Sequence, residues 1–192
     1  MVGQLEKLLL MERHVCPWWL AYAFDNPLRQ LIHNPEKMLA GLIKRGDTVL
    51  DVGCGMGYFS IAMAKQVGEE GLVISADIQR EMLERVRRRA SRRGLLNRIR
   101  LHPCEPSGIG LNEKVDFALA FWMVHEVPNT MSFLHEVGTL LRPESCFLLV
   151  EPKLHVSASR FQGIVDVAVK AGLKTVSRMK VHLSRAVLLG LR

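Results

Sequence analysis

The chain has 192 residues, 48% of them apolar and 23% charged, with a formal charge of +7. Those proportions suit one globular core that folds without disulfides or a structural metal, and they exclude a stapled mini-protein. The longest apolar run, from Trp18 to Phe24, is far below the ~20 residues a bilayer span needs, so the sequence predicts neither a membrane helix nor a signal peptide.

The first part of the chain reads as a helical lead-in over residues 1–45, with helices over 4–13, 17–24, 27–33 and 35–44. Three of them begin at or near a proline, which a first helical turn tolerates well. Trp18, Trp19 and Tyr22 share one face of the second, which makes them candidates either for substrate contact or for plain packing of this cap on the rest of the molecule.

From residue 46 to 192 the sequence predicts a single globular unit. Short apolar runs over 48–52, 72–77, 99–102, 115–121 and 146–151 alternate with helical patterns over 59–67, 80–93, 130–141 and 159–171. That alternation is the signature of a parallel sheet covered by helices on both faces. Two further strands, 173–182 and 186–191, are separated by only three residues, which suits an antiparallel hairpin and excludes a crossover. The expected fold is α/β: a Rossmann-like, seven-stranded, mostly parallel sheet whose last strand is antiparallel.

The first strand runs into Asp51-Val52-Gly53-Cys54-Gly55-Met56-Gly57 and then a helix. Glycines allow close approach of the backbone to a ligand, and a helix N-terminus offers unpaired N–H groups. A dinucleotide fingerprint needs glycine at position 58, where this chain has Tyr58, and a Walker loop needs Gly-Lys-Ser/Thr. Asp51 favours a cationic ligand group over a pyrophosphate, or else caps its own loop. Asp77, at the tip of the next strand, is placed to accept hydrogen bonds from both hydroxyls of a ribose, to cap the following helix, or both.

This pairing of Asp-x-Gly-x-Gly-x-Gly with Asp77 resembles the class I S-adenosylmethionine-dependent methyltransferases, over nearly all of residues 36–192. The resemblance implies S-adenosylmethionine as cofactor, S-adenosylhomocysteine as product, and a cofactor site of Asp51, Gly53, Cys54, Gly55, Gly57, Asp77 and Ile78. Glu105 matches the family's acid after the third strand, whereas Pro106 stands where an N–H donor is usual and has none to give. Ala120 and Phe121 would flank the methionine part of the cofactor, and His125 the methyl, as a general base of ordinary pKa near ~6.5 with Glu126 or Glu151 to orient or replace it.

The acceptor is expected to be a small apolar or aromatic molecule, since the chain broadly resembles quinone-biosynthesis C-methyltransferases. Residues 16–35 are similar to a small group of methyltransferase-like proteins, which supplies no substrate. The segment Phe121-Trp122-Met123-Val124 lacks the Asn/Asp-Pro-Pro-Tyr/Phe pattern of nucleic-acid amino-methyltransferases, and Pro103-Cys104 follows the wrong strand for a ring-carbon nucleophile.

Two alternatives remain. Eight arginines from Arg85 to Arg100 form either a solvated helix face or a phosphate track for an RNA substrate. A cofactor-binding subunit whose activity lies in a partner is the non-enzyme reading. Cys16, Cys54, Cys104 and Cys146 are too scattered for a disulfide framework or a metal site, and His14, Cys16 and His33 do not change that. They point to a reduced, cytoplasmic setting.

Overall fold

A computed structural model describes residues 32–192. The helices expected before residue 32 lie outside the described residues, and so do Trp18, Trp19 and Tyr22. Helix α1 (Pro35–Met38) opens with the Asn34 side chain accepting the Lys37 N–H and with proline in its first position. The expectation of a helix to residue 44 is corrected. The Leu39 N–H turns back to the Pro35 carbonyl, and Gly41 adopts φ +78, a conformation that ends a right-handed helix.

Strands β1 (Thr48–Val52), β2 (Leu72–Asp77), β3 (Ile99–Pro103), β4 (Val115–Phe121), β5 (Leu141–Pro152), β6 (Leu173–Met179) and β7 (Ser184–Leu191) form one sheet. Its order is β3-β2-β1-β4-β5-β7-β6. β1 to β5 pair in parallel, and β7 runs antiparallel to both β5 and β6. This is the seven-stranded sheet with a reversed last strand that the sequence predicts. The chain winds outward through β1, β2 and β3, then returns to place β4 on the other side of β1. Ligands of open α/β sheets sit at such a reversal, outside the carboxyl ends of the strands.

Alternation along each strand fills both faces. Val49, Val73, Phe117, Leu119 and Leu148 pack under α2 (Tyr58–Val67) and α3 (Arg80–Ser91), against Phe59, Ile61, Met63, Leu83 and Val86. Leu50, Ile74, Ala118, Phe147 and Leu149 pack on the opposite face under α4 (Thr130–Leu140) and α5 (Ala158–Lys170), against Leu134, Val137, Phe161 and Val165. Deleting a wholly buried Phe117 or Leu148 side chain costs about 2–5 kcal/mol.

Three other boundaries differ from expectation. α3 stops at Ser91, because Gly94 in the left-handed region lets the Leu95 N–H reach the Ala90 carbonyl. β5 begins at Leu141, which pairs with Val115 before the register shifts and Cys146 meets Phe117. Pro143, with no N–H for the ladder, sits in that irregular stretch. The β6–β7 link is residues 180–183, where Leu183 at φ +52 brings the Ser184 N–H to the Val181 carbonyl.

Candidate functional site

The N–H groups of Gly53 and Cys54 both donate to the Ala76 carbonyl, so the end of β1 is tied to β2 as the chain turns away. Gly53, Gly55 and Gly57 all lie at positive φ. A Cβ on Gly53 would stand 2.8 Å from the Met123 side chain, and one on Gly57 2.9 Å from Val86. A Cβ on Gly55 would meet nothing within 4 Å. The first glycine therefore packs against the segment after β4, the third against α3, and the middle one opens the loop to a ligand. No side chain caps the start of α2, leaving its first N–H groups to the loop side.

Asp51 and Asp77 fall on the α2/α3 face of the sheet by strand alternation, and both are buried. Asp77 Oδ2 accepts the Gly55 N–H and Oδ1 the Gln79 N–H, each at 2.9 Å. Burial pushes the Asp77 carboxyl up from its ordinary range, against the pull of the Gln79, Gly55 and Ile78 N–H groups. Among the described residues no cation pairs with it, and the backbone N–H groups leave the carboxylate with acceptor capacity for a hydroxyl. Asp51 Oδ2 accepts the Ser60 hydroxyl at 2.5 Å, which fixes it to the first turn of α2.

Cys54 lies buried in the loop, its thiol pushed well up by burial and then by Asp77, Asp51 and Cys104. Burial, with Asp77 and Glu136 beside it, pushes the Cys104 thiol up to about 12. Both thiols are protonated at neutral pH, a poor state for a nucleophile. Ile78 is half-buried directly beyond Asp77. Glu105 stands exposed in a turn closed by its own bridge to Gly108. The following loop is held from below by Glu136 of α4, which accepts the N–H groups of Ile109 and Gly110.

Across the reversal point, Ala120 and Phe121 are buried at the end of β4. Trp122 follows at φ +61, an uncommon conformation for a bulky residue. It is held there by its N–H to the Val150 carbonyl and its indole N–H to Ser184 Oγ, at 2.8 and 2.9 Å. His33 sets its ring edge-on to Phe121 and Trp122, with centroids at 5.2 and 5.0 Å.

The chain then turns through Val124–Glu126, bringing His125 onto Glu151 of β5. Glu151 Oε1 accepts the His125 N–H at 3.2 Å, and Oε2 lies 2.5 Å from Nδ1. Glu151 is wholly buried, on the α4/α5 face. Glu126 Oε1 stands 3.9 Å from Nε2, Arg160 Nη2 donates to the His125 carbonyl at 3.2 Å, and the His155 ring is centred 6.1 Å away. The Glu151 hydrogen bond holds the His125 ring above its ordinary pKa, helped by the charges of Glu151 and Glu126 and opposed by burial and Arg160.

The structure thus gathers Asp51, Gly53, Cys54, Gly55, Gly57 and Asp77 at the tips of β1 and β2, and Ala120, Phe121 and His125 beyond β4, with Met123 joining the two groups at Gly53. Sequence reasoning missed Met123, Ser60, Arg160 and His155 as neighbours. Only His155 carried a local signal, following Glu151 by four residues.

A sheet of this order, with a glycine loop and a strand-tip carboxylate at its reversal point, defines a Rossmann-like methyltransferase fold. The methyltransferase-domain family profile matches residues 43–180, and the chain belongs to that family. A SAM-dependent methyltransferase from Aquifex aeolicus superposes with a TM-score of 0.81 at 26% identity, covering 91% of this chain and 98% of that one. The demethylmenaquinone methyltransferase of Symbiobacterium thermophilum is 29% identical over 153 residues, 73% of this chain and 61% of its own length. The probable cobalt-precorrin-6B C(15)-methyltransferase (decarboxylating) of Saccharolobus solfataricus is 40% identical over 76 residues, 38% of each chain. The chain spans less than two thirds of the length of these curated relatives. Residues 43–180 form a methyltransferase domain, and the open face at Gly55 and the Asp77 carboxylate fit S-adenosylmethionine, the cofactor named for the Aquifex aeolicus protein. Among the described residues no helix is long and apolar enough to cross a membrane.

Proposed function

We propose that the enzyme methylates a small apolar or aromatic molecule, with Gly53, Cys54, Gly55, Gly57, Asp51, Asp77, Ile78, Glu105, Ala120 and Phe121 forming the cofactor side and His125 facing the acceptor. The observation that carries this reading is the Glu151–His125 pair standing beyond β4, one turn from the Met123 that packs on Gly53. A buried carboxylate behind an imidazole, beside a cofactor loop, is an arrangement for proton transfer to and from a bound molecule.

Bound cofactor supplies an electrophilic methyl on a positively charged sulfur. Asp77 would accept a ribose hydroxyl, and the open backbone at Gly55 would let the nucleoside approach. Trp122, stacked on Phe121 at 5.2 Å, extends the apolar wall of the cofactor side and helps exclude water. Displacement at carbon is governed by alignment, so rigid placement of these groups is the protein's main contribution. Relatives named for demethylmenaquinone and cobalt-precorrin support a ring-shaped small-molecule acceptor.

The test is calorimetric titration with S-adenosylmethionine and S-adenosylhomocysteine, followed by transfer of a labelled methyl to a set of quinol, phenol and tetrapyrrole acceptors, with transfer RNA and ribosomal RNA as controls. Label in a small acceptor supports the reading. Label in RNA alone overturns it.

A further inference from the structure

We propose that Glu151 is the positioning residue of His125, holding the ring so that Nε2 takes a proton from a hydroxyl of the acceptor, which makes the acceptor phenol- or enol-like rather than an amine. This rests on the small-molecule reading above and assigns the reacting group within it.

One carboxylate grips a single residue twice, at the His125 main-chain N–H and at Nδ1. A carboxylate only accepts, so the neutral ring carries its proton on Nδ1 and leaves the Nε2 lone pair bare. The backbone is clamped from a third element: Arg160, whose own N–H is held by Ser157 Oγ at the start of α5, donates to the His125 carbonyl. The charged groups around the ring are Glu151, Glu126 and Arg160, with His155 nearby. Glu126 Oε1, at 3.9 Å from Nε2, is beyond hydrogen-bond range of that nitrogen. Glu151 also lies on the sheet face opposite Asp51 and Asp77, so it takes no part in their loop. A wholly buried carboxylate paired with a partly buried imidazole is a weak stabiliser compared with apolar packing, so stability alone gives little reason for it.

The ring's environment selects the acceptor. A phenol of ordinary pKa near ~10 is almost entirely protonated at neutral pH, and its proton must leave as it attacks. Carboxylates that favour the imidazolium bring the base closer to that value, the direction that aids transfer. As the acceptor oxygen, or the ring carbon conjugated to it, bonds to the methyl carbon, the methyl–sulfur bond breaks and its electron pair stays on sulfur. The hydroxyl proton passes to Nε2, and the positive charge lost from sulfur reappears on an imidazolium held against Glu151. A neutral amine attacks with its own lone pair and sheds its proton afterwards, which requires no base of fixed tautomer.

The first readout needs no substrate. In protein carrying 15N-histidine, the His125 ring is expected to bear its neutral-state proton on Nδ1 and to titrate above 6.5. Glu151→Gln lowers that pKa and releases the tautomer, and Glu151→Asp restores part of both. A wild-type ring protonated at Nε2 with Nδ1 bare, or a titration unchanged in Glu151→Gln, overturns the proposal. The second readout offers labelled cofactor with a naphthohydroquinone and a naphthylamine. Transfer to the hydroquinone is expected, with kcat rising with pH to a plateau above the His125 pKa and falling about tenfold or more in Glu151→Gln, while cofactor Kd holds. Transfer to the amine alone, or to neither probe by protein that binds cofactor, overturns the hydroxyl assignment. Failure of the wild type to bind cofactor sinks the reading beneath it instead.

Discussion

The carboxylate of Asp77, at the tip of β2, accepts the N–H of Gly55 in the loop that follows β1. Two neighbouring strands thereby hold each other's ends, and the open glycine is kept in place by the residue assigned to the ribose. The same carboxylate takes the Gln79 N–H at the entry to α3, so one side chain ties the loop to the helix.

Asp77→Ala is expected to weaken S-adenosylmethionine binding by about 1–3 kcal/mol through lost hydrogen bonds, with the far-ultraviolet circular dichroism unchanged. Isothermal titration calorimetry measures it, and equal affinity in the two proteins removes Asp77 from the ribose. Burial raises the Asp77 carboxyl above the ordinary aspartate range. Affinity should therefore begin to fall with acid at a higher pH than an ordinary aspartate would dictate, because the protonated acid is a poorer acceptor.

Gly53→Ala and Gly55→Ala separate packing from ligand access. Both place alanine at positive φ, which costs about 1–2 kcal/mol. Only the first also forces its methyl to 2.8 Å from Met123. The ligand-free Tm should fall further for Gly53→Ala. Gly55→Ala, with open space at its Cβ, should show the greater loss of cofactor affinity relative to its loss of stability. Equal Tm values would show that Met123 swings aside without cost.

His125 supplies a pH signature of stability. Its folded pKa is raised above 6.5, so its contribution is fully present below that value and is lost as pH rises through the folded pKa. The Tm gap between wild type and His125→Gln should be larger at about pH 6 than at about pH 8.5, on either side of the ordinary imidazole value. A gap that widens with pH contradicts the assigned pairing.

The arginine-rich helix is expected to be a solvated face. Met82, Leu83, Val86 and Ala90 bury the other side of α3, while Glu84 pairs with Arg87 and Arg88 on the outside. Such an exposed i,i+4 pair is worth about 0.3–0.5 kcal/mol. Arg88→Glu combined with Arg92→Glu should leave cofactor affinity and small-molecule turnover unchanged. RNA affinity that is steep in salt for the wild type and lost in the double variant would instead favour a nucleic-acid acceptor.

The sequence by itself determined the sheet and the cofactor loop. Strands such as Thr48–Val52 and Leu72–Asp77 are buried on both faces and read as short apolar runs, and three glycines needing positive φ leave a local signature that no neighbour has to supply. It also placed the antiparallel closure, because a link of three or four residues permits no other geometry. Boundaries set by single caps escaped it, as at Gly41 and Gly94, and so did the proline-bearing irregularity that starts β5 early. Only the tertiary structure decided which polar residues meet. His125 and Glu151 are 26 residues apart in the chain, and the sequence offers Glu126 and Glu151 as partners without choosing between them. The parallel pairing of β4 with β5 brings their ends together, and alternation turns Glu151 toward the α5 face, where His125 meets it and Arg160 holds the His125 carbonyl. Periodicity is a local property that a sequence carries openly. Which strand tips become neighbours depends on the order of strands in the sheet, and that order is fixed by the packing of the whole core.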